Sequence, residues 1–422
     1  MTNAQLSVAF FLQMAIIIAV CRAVGWAAKR FLGQPQVVGE MIAGVILGPS
    51  LFGLLAPDLQ AMLFPKDARP VLFVGAQLGV GLYMFLVGLG FQRDHFKTNA
   101  RSAAAVSLAG MAGPFAVAIA IAPWLVSLGL FGEGIVIWQA MLFLGAAISI
   151  TAFPMLARII HERGLSGTRL GSLSLAAGAI DDAAAWCILA VVLASFGDGP
   201  MVAVKAIAGG GAFALVMLTV GPRLLAPLGR IAEREGRVSP SVLGAVLVLF
   251  MLSAWMMDAV GIHAVFGGFI LGVALPRGLL TREIKRQLEP FAVLVLLPMF
   301  FTFSGLNTQL TMINSLGLVA VTVVILLGSI LAKGVACWAA ARLTGQDNPT
   351  ALGIGALMNA RGLMELIIIN IGLQRGIIGP ALFSVLVVMA IVTTLIASPL
   401  FEWAYGRAAR ERGDLALAGA DD

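Results

Sequence analysis

The chain has 422 residues, of which 60% are hydrophobic and only 11% charged, and its mean hydropathy is +1.00. That is more apolar side chain than a water-soluble globule can hide, so lipid is the expected solvent. The net charge of +6 does not point to nucleic acid, because the basic residues are scattered through short connectors with no long basic run or interleaved aromatics.

Lipid leaves backbone groups only each other as partners, so each apolar run of ~20 residues is read as a helix. The fold class is therefore an all-α polytopic membrane protein, and the runs predict about thirteen transmembrane spans. The first, Ala4 to Val24, has no basic segment before it and reads as a retained helix, not a cleaved signal. Val37 to Ala56 has Glu40 near its start, where snorkelling to the interface is open to it. Val71 to Phe91, Ser102 to Leu130 and Ile135 to Ile160 follow. The fifth span carries Ser149-Ile150-Thr151-Ala152-Phe153-Pro154 near its middle, where the proline removes a backbone donor. Carbonyls around Ser149 to Thr151 are then free to face an ion, unless the proline makes only a kink.

The sixth span, Leu170 to Phe196, holds Asp181 and Asp182 halfway along, and Val202 to Leu228 makes the seventh. Val242 to Met257, Val260 to Pro276 and Phe291 to Leu306 come next; Asp258 and His263 flank the turn between the first two of these and are assigned no chemistry. Met312 to Ala341 contains Lys333, Ala351 to Leu373 contains Asn359, Arg361 and Glu365, and Ile378 to Tyr405 is the last. Cys21, Cys187 and Cys337 all lie within spans without metal-ligand spacing, which indicates neither a disulfide framework nor a zinc site.

Cytoplasmic connectors carry the excess of Lys and Arg. Lys66, Arg69, Lys205 and Arg375 fall by the connectors after even spans, and Lys333 and Arg361 lie within spans. Every other basic residue of the 27 falls by an odd connector or in the final tail. This alternation predicts an N-terminus outside and a C-terminus in the cytoplasm of a plasma-membrane protein. Residues 1–405 form a single transmembrane unit and 406–422 a short cytoplasmic tail.

An odd span count divides into spans 1 to 6, a linking span 7, and spans 8 to 13 in opposite orientation, the inverted repeat of many secondary transporters. Span 2 reads Ala43-Gly44-Val45-Ile46-Leu47-Gly48 and span 9 reads Gly267-Gly268-Phe269-Ile270-Leu271-Gly272. Span 3 has Leu82-Tyr83-Met84-Phe85 leading to Gly90, and span 10 has Leu297-Pro298-Met299-Phe300 leading to Gly305.

An ionisable group at the bilayer centre costs roughly 2.5 to 3.5 kcal/mol on insertion scales, so each needs a reason. Adjacent residues on a helix point about 100° apart. Asp181 and Asp182 therefore cannot face one partner; one can line a cavity while its neighbour pairs elsewhere. Lys333 reads as a charge partner for a core acid. Arg361 and Glu365 stand i, i+4 and can satisfy each other. Spans 5 and 12 hold equivalent places in the two halves, so their interruptions can meet. An arginine there offsets dipole charge when a cation leaves.

These strings resemble the cation:proton antiporter-2 family, in particular plant cation/proton exchangers and the membrane domain of bacterial potassium-efflux antiporters. The resemblance is carried by Gly39-Glu40-Met41-Ile42-Ala43-Gly44-Val45-Ile46-Leu47-Gly48-Pro49-Ser50, Ser149 to Arg158, Leu297-Pro298-Met299-Phe300-Phe301, and Leu357 to Leu366. It implies a sodium/proton-antiporter-like fold: a dimerisation bundle and a mobile core of spans 4 to 6 and 11 to 13 with two crossed, unwound helices. It also implies that Asp182 binds cation and proton, that Asp181 stands at a position that is Asn or Asp among relatives, that Thr151 lies in the unwound segment, and that Arg361 lies beside the second crossing. The electrogenic relatives carry a lysine in the helix corresponding to span 10, and Met299 to Leu306 has none. No regulatory nucleotide-binding domain like that of the potassium-efflux proteins is expected within this chain.

The reading is a secondary antiporter, not an enzyme, with no resident cofactor. It exchanges H+ for Na+ or K+ at Asp182 and Asp181, aided by Thr151 and Ser149. Arg361, Lys333 and Glu365 compensate charge, and Glu40 and Asn359 are accessory. The expected partners are the transported ions, the bilayer and a second copy of the chain. An organic-solute symporter on a related inverted-repeat fold is the alternative. A channel lacks its carbonyl-filter signature, and an intramembrane aspartyl protease needs acids on two facing helices.

Overall fold

The computed structural model describes residues 2–34, 36–90, 94–165, 168–193, 195, 200–260 and 264–412. Every regular element among them is a helix; the one extended pairing is an isolated antiparallel bridge between Phe131 and Ile378. His263 and residues 413–422 of the expected tail lie outside the described residues. The last helix, Pro380–Arg412, runs past the expected end at Tyr405, as the good helix formers Ala408, Ala409 and the arginines around them allow.

Among the described residues eight helices are long and apolar enough to cross a membrane, or nine if the bent pair 208–219 and 221–235 counts as one span. Ile137–Ser149, Ala264–Ala274 and Glu365–Gln374 are apolar but shorter. Two of these three adjoin breaks in the chain: Ile137–Ser149 stops before Phe153–Glu162, and Asn348–Leu357 stops before Leu363–Gln374. A hydropathy window sees each such pair as one continuous run, because it reads side chains and not hydrogen bonds. The bent pair departs from expectation for a related reason. Span 7 turns by 48° near Thr219 and continues as Gly221–Glu235, which carries Arg223, Arg230 and Arg234 among its apolar residues.

The chain divides into two compact units. The first comprises residues 1–23, 43–91 and 189–306. Its helices approach through glycine. A side chain at Gly44 or Gly48 would run into the carbonyls of Phe301 and Gly305, and one at Gly272 into the carbonyl of Phe85. A side chain at Gly268 would lie 2.7 Å from the Gly81 carbonyl oxygen. Without a hydrophobic drive between helices in lipid, such backbone contact is what holds them. A π turn at Ala292–Leu296 precedes Pro298 in the segment Leu297–Leu306. The proline has no N–H to donate and crowds the carbonyl a turn earlier, and the widened turn absorbs both defects.

The second unit comprises residues 24–42, 92–188 and 307–422. Its apolar cluster includes Val106, Leu156, Ile160, Leu173, Ile354, Leu357 and Phe401, drawn from five helices. The carboxylate of Asp347 caps Asn348–Leu357, accepting from the Thr350 hydroxyl at 2.7 Å and its N–H at 3.4 Å. At the Phe131 bridge, Gly132 N–H donates to Ile377 O at 3.0 Å and Gly379 N–H to Leu130 O at 3.0 Å. The connector entering the first broken helix is thereby tied to the connector leaving the second.

Candidate functional site

The aspartates, the two helix breaks and the groups that bond them belong to the second unit. Asp181 and Asp182 sit in the helix Arg169–Leu193, 0% and 2% exposed. Their divergence around the helix gives them different partners. Asp181 Oδ2 lies 3.0 Å from Lys333 Nζ, and its Oδ1 accepts from the Ser107 hydroxyl at 2.5 Å. Lys333, on the helix Leu316–Leu343, also donates to the Gly110 carbonyl at 3.3 Å and to the Ser149 carbonyl. An ammonium has three protons, and here three acceptors meet it.

Among the described residues Asp182 has no such partner. Its Oδ1 accepts from the Phe153 N–H at 3.5 Å, and its Oδ2 has no hydrogen-bond partner among them. Phe153 opens the ten-residue helix Phe153–Glu162, so the carboxylate stands at the positive end of a helix. Pro154 falls in the first turn, where a missing N–H costs nothing, and this explains why the helix restarts there.

The two interruptions touch. Ile150 is extended, with φ −79° and ψ 137°. The Thr151 hydroxyl donates to the Met358 carbonyl at 2.9 Å, and Ala152 N–H donates to the Ala360 carbonyl at 3.1 Å. Backbone groups orphaned at one break are thus satisfied at the other. Gly362, at the restart, leaves room for Met155, whose Cγ would lie 2.8 Å from a Cβ there.

Arg361 Nη1 bonds Glu365 Oε1 at 3.2 Å, with both residues buried, while Arg361 Nε and Nη2 and Glu365 Oε2 have no hydrogen-bond partner among the described residues. Asn359 Nδ2 donates to its own helix at Gly355 O, 2.9 Å away, and its Oδ1 has no partner among the described residues.

Two expectations change. Glu40 does not snorkel: it is 0% exposed, and Gln36 Nε2 donates to its Oε1 at 2.9 Å, because the helix Gln36–Leu47 is packed close to its start. The Ser149 carbonyl is not open to an ion but is taken by Lys333, and the Ser149 hydroxyl reaches Ala146 O at 3.4 Å. Met299 to Leu306 contains no lysine, and Lys333 reaches Asp181 from Leu316–Leu343. Asp258 is exposed, as expected, and accepts from the Ala264 N–H at 2.8 Å, capping Ala264–Ala274. Ser107 and Gly110 carried no sequence signal, because a serine or glycine in an apolar helix is ordinary packing material until its neighbour is known.

Comparison with known proteins finds related sequences. Residues 15–404 match the family described as sodium/hydrogen exchanger, transmembrane. The chain is 39% identical over 388 residues to the Na(+)/H(+) antiporter NhaS4 of Synechocystis sp., covering 91% of this chain and 94% of that protein. It is 34% identical over 413 residues to Cation/H(+) antiporter 18 of Arabidopsis thaliana, covering 96% of this chain and 50% of the relative. With K(+)/H(+) antiporter 1 of Saccharomyces cerevisiae the identity is 32% over 427 residues, covering 98% and 48%. The chain thus spans about half the length of the plant and yeast relatives.

Proposed function

Because this chain belongs to the transmembrane sodium/hydrogen exchanger family, and is an integral membrane monovalent cation/proton antiporter rather than an enzyme, we propose that exchange occurs at one alternately exposed site built on Asp182. The observation that carries this reading is the pairing of the two neighbouring carboxylates with different groups: Asp181 is held by Lys333 and Ser107, whereas Asp182 keeps one buried oxygen without a partner among the described residues.

The physical basis is competition. A unit charge 4 Å from a carboxylate gains about 4 kcal/mol at an effective dielectric of 20, and a proton on that carboxylate removes the attraction. A bound H+ and a bound Na+ or K+ therefore exclude each other, and exposing the site to each side in turn yields exchange. Asp182 provides the competing oxygens. Thr151, whose hydroxyl donates to Met358 O, has lone pairs left for a partly dehydrated cation. Asp181 is held by Lys333, and Ser149 acts by anchoring that lysine. Arg361 and Glu365 balance charge at the second break, with Asn359 and Glu40 as accessory polar groups.

The surrounding architecture follows the same reading. About thirteen spans in two inverted halves place spans 2 and 9, and spans 3 and 10, in equivalent positions. The glycine contacts support this: the Gly44–Gly48 segment packs on the Phe301–Gly305 backbone, and Gly268 and Gly272 pack on Gly81 and Phe85. The second unit, which holds the predicted spans 4 to 6 and 11 to 13, is proposed to rock as the mobile core against a homodimeric bundle. The protein is placed in the plasma membrane with its C-terminus in the cytoplasm, on the asymmetry of its basic connectors.

The test is cation-induced collapse of an imposed pH gradient in membrane vesicles. Wild type should dissipate the gradient on addition of Na+ or K+, and Asp182→Asn should abolish the response at normal expression. Full activity in Asp182→Asn would remove the site.

A further inference from the structure

We propose that Thr394 is a positioning residue for the ion site, acting on Asp182 through the second helix break. Threonines inside apolar helices ordinarily hydrogen-bond the carbonyl one turn back and do nothing else. Thr393 behaves so: its hydroxyl meets Met389 O at 2.8 Å and Ala390 O at 3.1 Å, both in its own helix. Thr394, fully buried beside it, does more. Its hydroxyl reaches Ala390 O at 2.7 Å, but it also lies 2.9 Å from the Arg361 carbonyl and accepts from the Arg361 N–H at 3.2 Å. One proton serves one carbonyl at a time, and the lone pairs accept the N–H in either case.

The Arg361 N–H is half of a rigid planar peptide whose other half is the Ala360 carbonyl. That carbonyl accepts from the Ala152 N–H at 3.1 Å. The next N–H along the chain, that of Phe153, is the one directed at Asp182 Oδ1. A continuous relay therefore runs from the Thr394 hydroxyl, through the peptide joining Ala360 and Arg361, through Ala152 and Phe153, to the carboxylate. Gripping the N–H end of that peptide fixes where its carbonyl points, and so fixes the backbone that presents a donor to Asp182. Among the described residues, the Thr394 hydroxyl is the helix-borne group that bonds the N–H end of this peptide.

The proposal rests on Asp182 being the exchange site, and the measurement separates the two claims. Full-length protein is reconstituted in proteoliposomes, and initial rates of cation/proton exchange are followed against Na+ and K+ concentration. Thr394→Val keeps shape and removes the hydroxyl. It should raise the half-saturating cation concentration about fivefold, the loss of one ordinary hydrogen bond, with little change in maximal rate. Thr394→Ser should restore wild-type half-saturation, and Thr393→Val should match wild type. A fold or expression defect would lower the maximal rate and leave half-saturation alone.

Wild-type half-saturation in Thr394→Val overturns the proposal, as does an equal shift in Thr393→Val. If Thr394→Val does not fold, Thr394→Ala and Thr394→Ser decide. A shift in the alanine variant alone supports the relay, and equal behaviour of the two overturns it. Asp182→Asn is run alongside: full exchange there defeats the site itself, whereas its loss together with an unshifted Thr394→Val defeats only the relay.

Discussion

At the scale of single residues, the decisive feature is how two neighbouring acids are treated differently. Asp181 and Lys333 form a buried ion pair completed by Ser107, Gly110 and Ser149. Removing one partner of a buried pair is costly, about 3 to 5 kcal/mol, because the other charge is stranded. Lys333→Met should therefore lower the thermal unfolding temperature in detergent, as should Asp181→Leu. The double substitution should recover most of the loss, giving a favourable coupling in a double-mutant cycle. Strictly additive losses would show that the pair contributes nothing as a pair. Asp182 has no counterpart cycle, since its described protein partner is a backbone N–H.

At the scale of elements, breaks and close approaches organise the chain more than helix length does. The helices Ile137–Ser149 and Phe153–Glu162 are separated so that Thr151 and Ala152 can bond the equally interrupted Met358 to Ala360 stretch. In the first unit the approach is glycine against backbone, which cannot give way. Gly44→Ala and Gly272→Ala are therefore expected to destabilise by about 1 to 3 kcal/mol, the range for overpacking. Gly211→Ala, in a helix position with nothing within 4 Å, should be neutral or gain up to about 1 kcal/mol from helix propensity. Thermal unfolding of the three variants side by side checks the ranking, and equal effects would refute the packing argument.

At the scale of the whole molecule, the proposed mechanism requires one unit to move as a body while its interior stays fixed. A disulfide inside the second unit, between two positions whose Cβ atoms stand about 3.5 to 4.5 Å apart, should leave exchange intact. Measuring proteoliposome exchange before and after reductant checks this, and exchange lost on oxidation and recovered on reduction would count against a core that moves with its interior fixed.

Much of this protein was legible from residue order because lipid narrows the choices. Hydropathy forced an all-helical membrane chain, the cost of charge in hydrocarbon singled out Asp181, Asp182, Lys333, Arg361 and Glu365, and Pro154 together with the equivalence of spans 5 and 12 pointed to where helices are interrupted. What order could not supply was which acid pairs and which stays open. That depends on Ser107, Gly110 and Lys333 arriving from two other helices at distances near 3 Å, and no periodicity records such an arrival. The same holds for Glu40, which its place near a span start left free to snorkel and packing buried, and for Thr394, indistinguishable in sequence from Thr393 until one hydroxyl was found against Arg361. Composition acts through a solvent that every residue shares, and so it can be read along the chain. Hydrogen bonds act over a few ångströms between residues far apart in sequence, and so only the folded arrangement decides them.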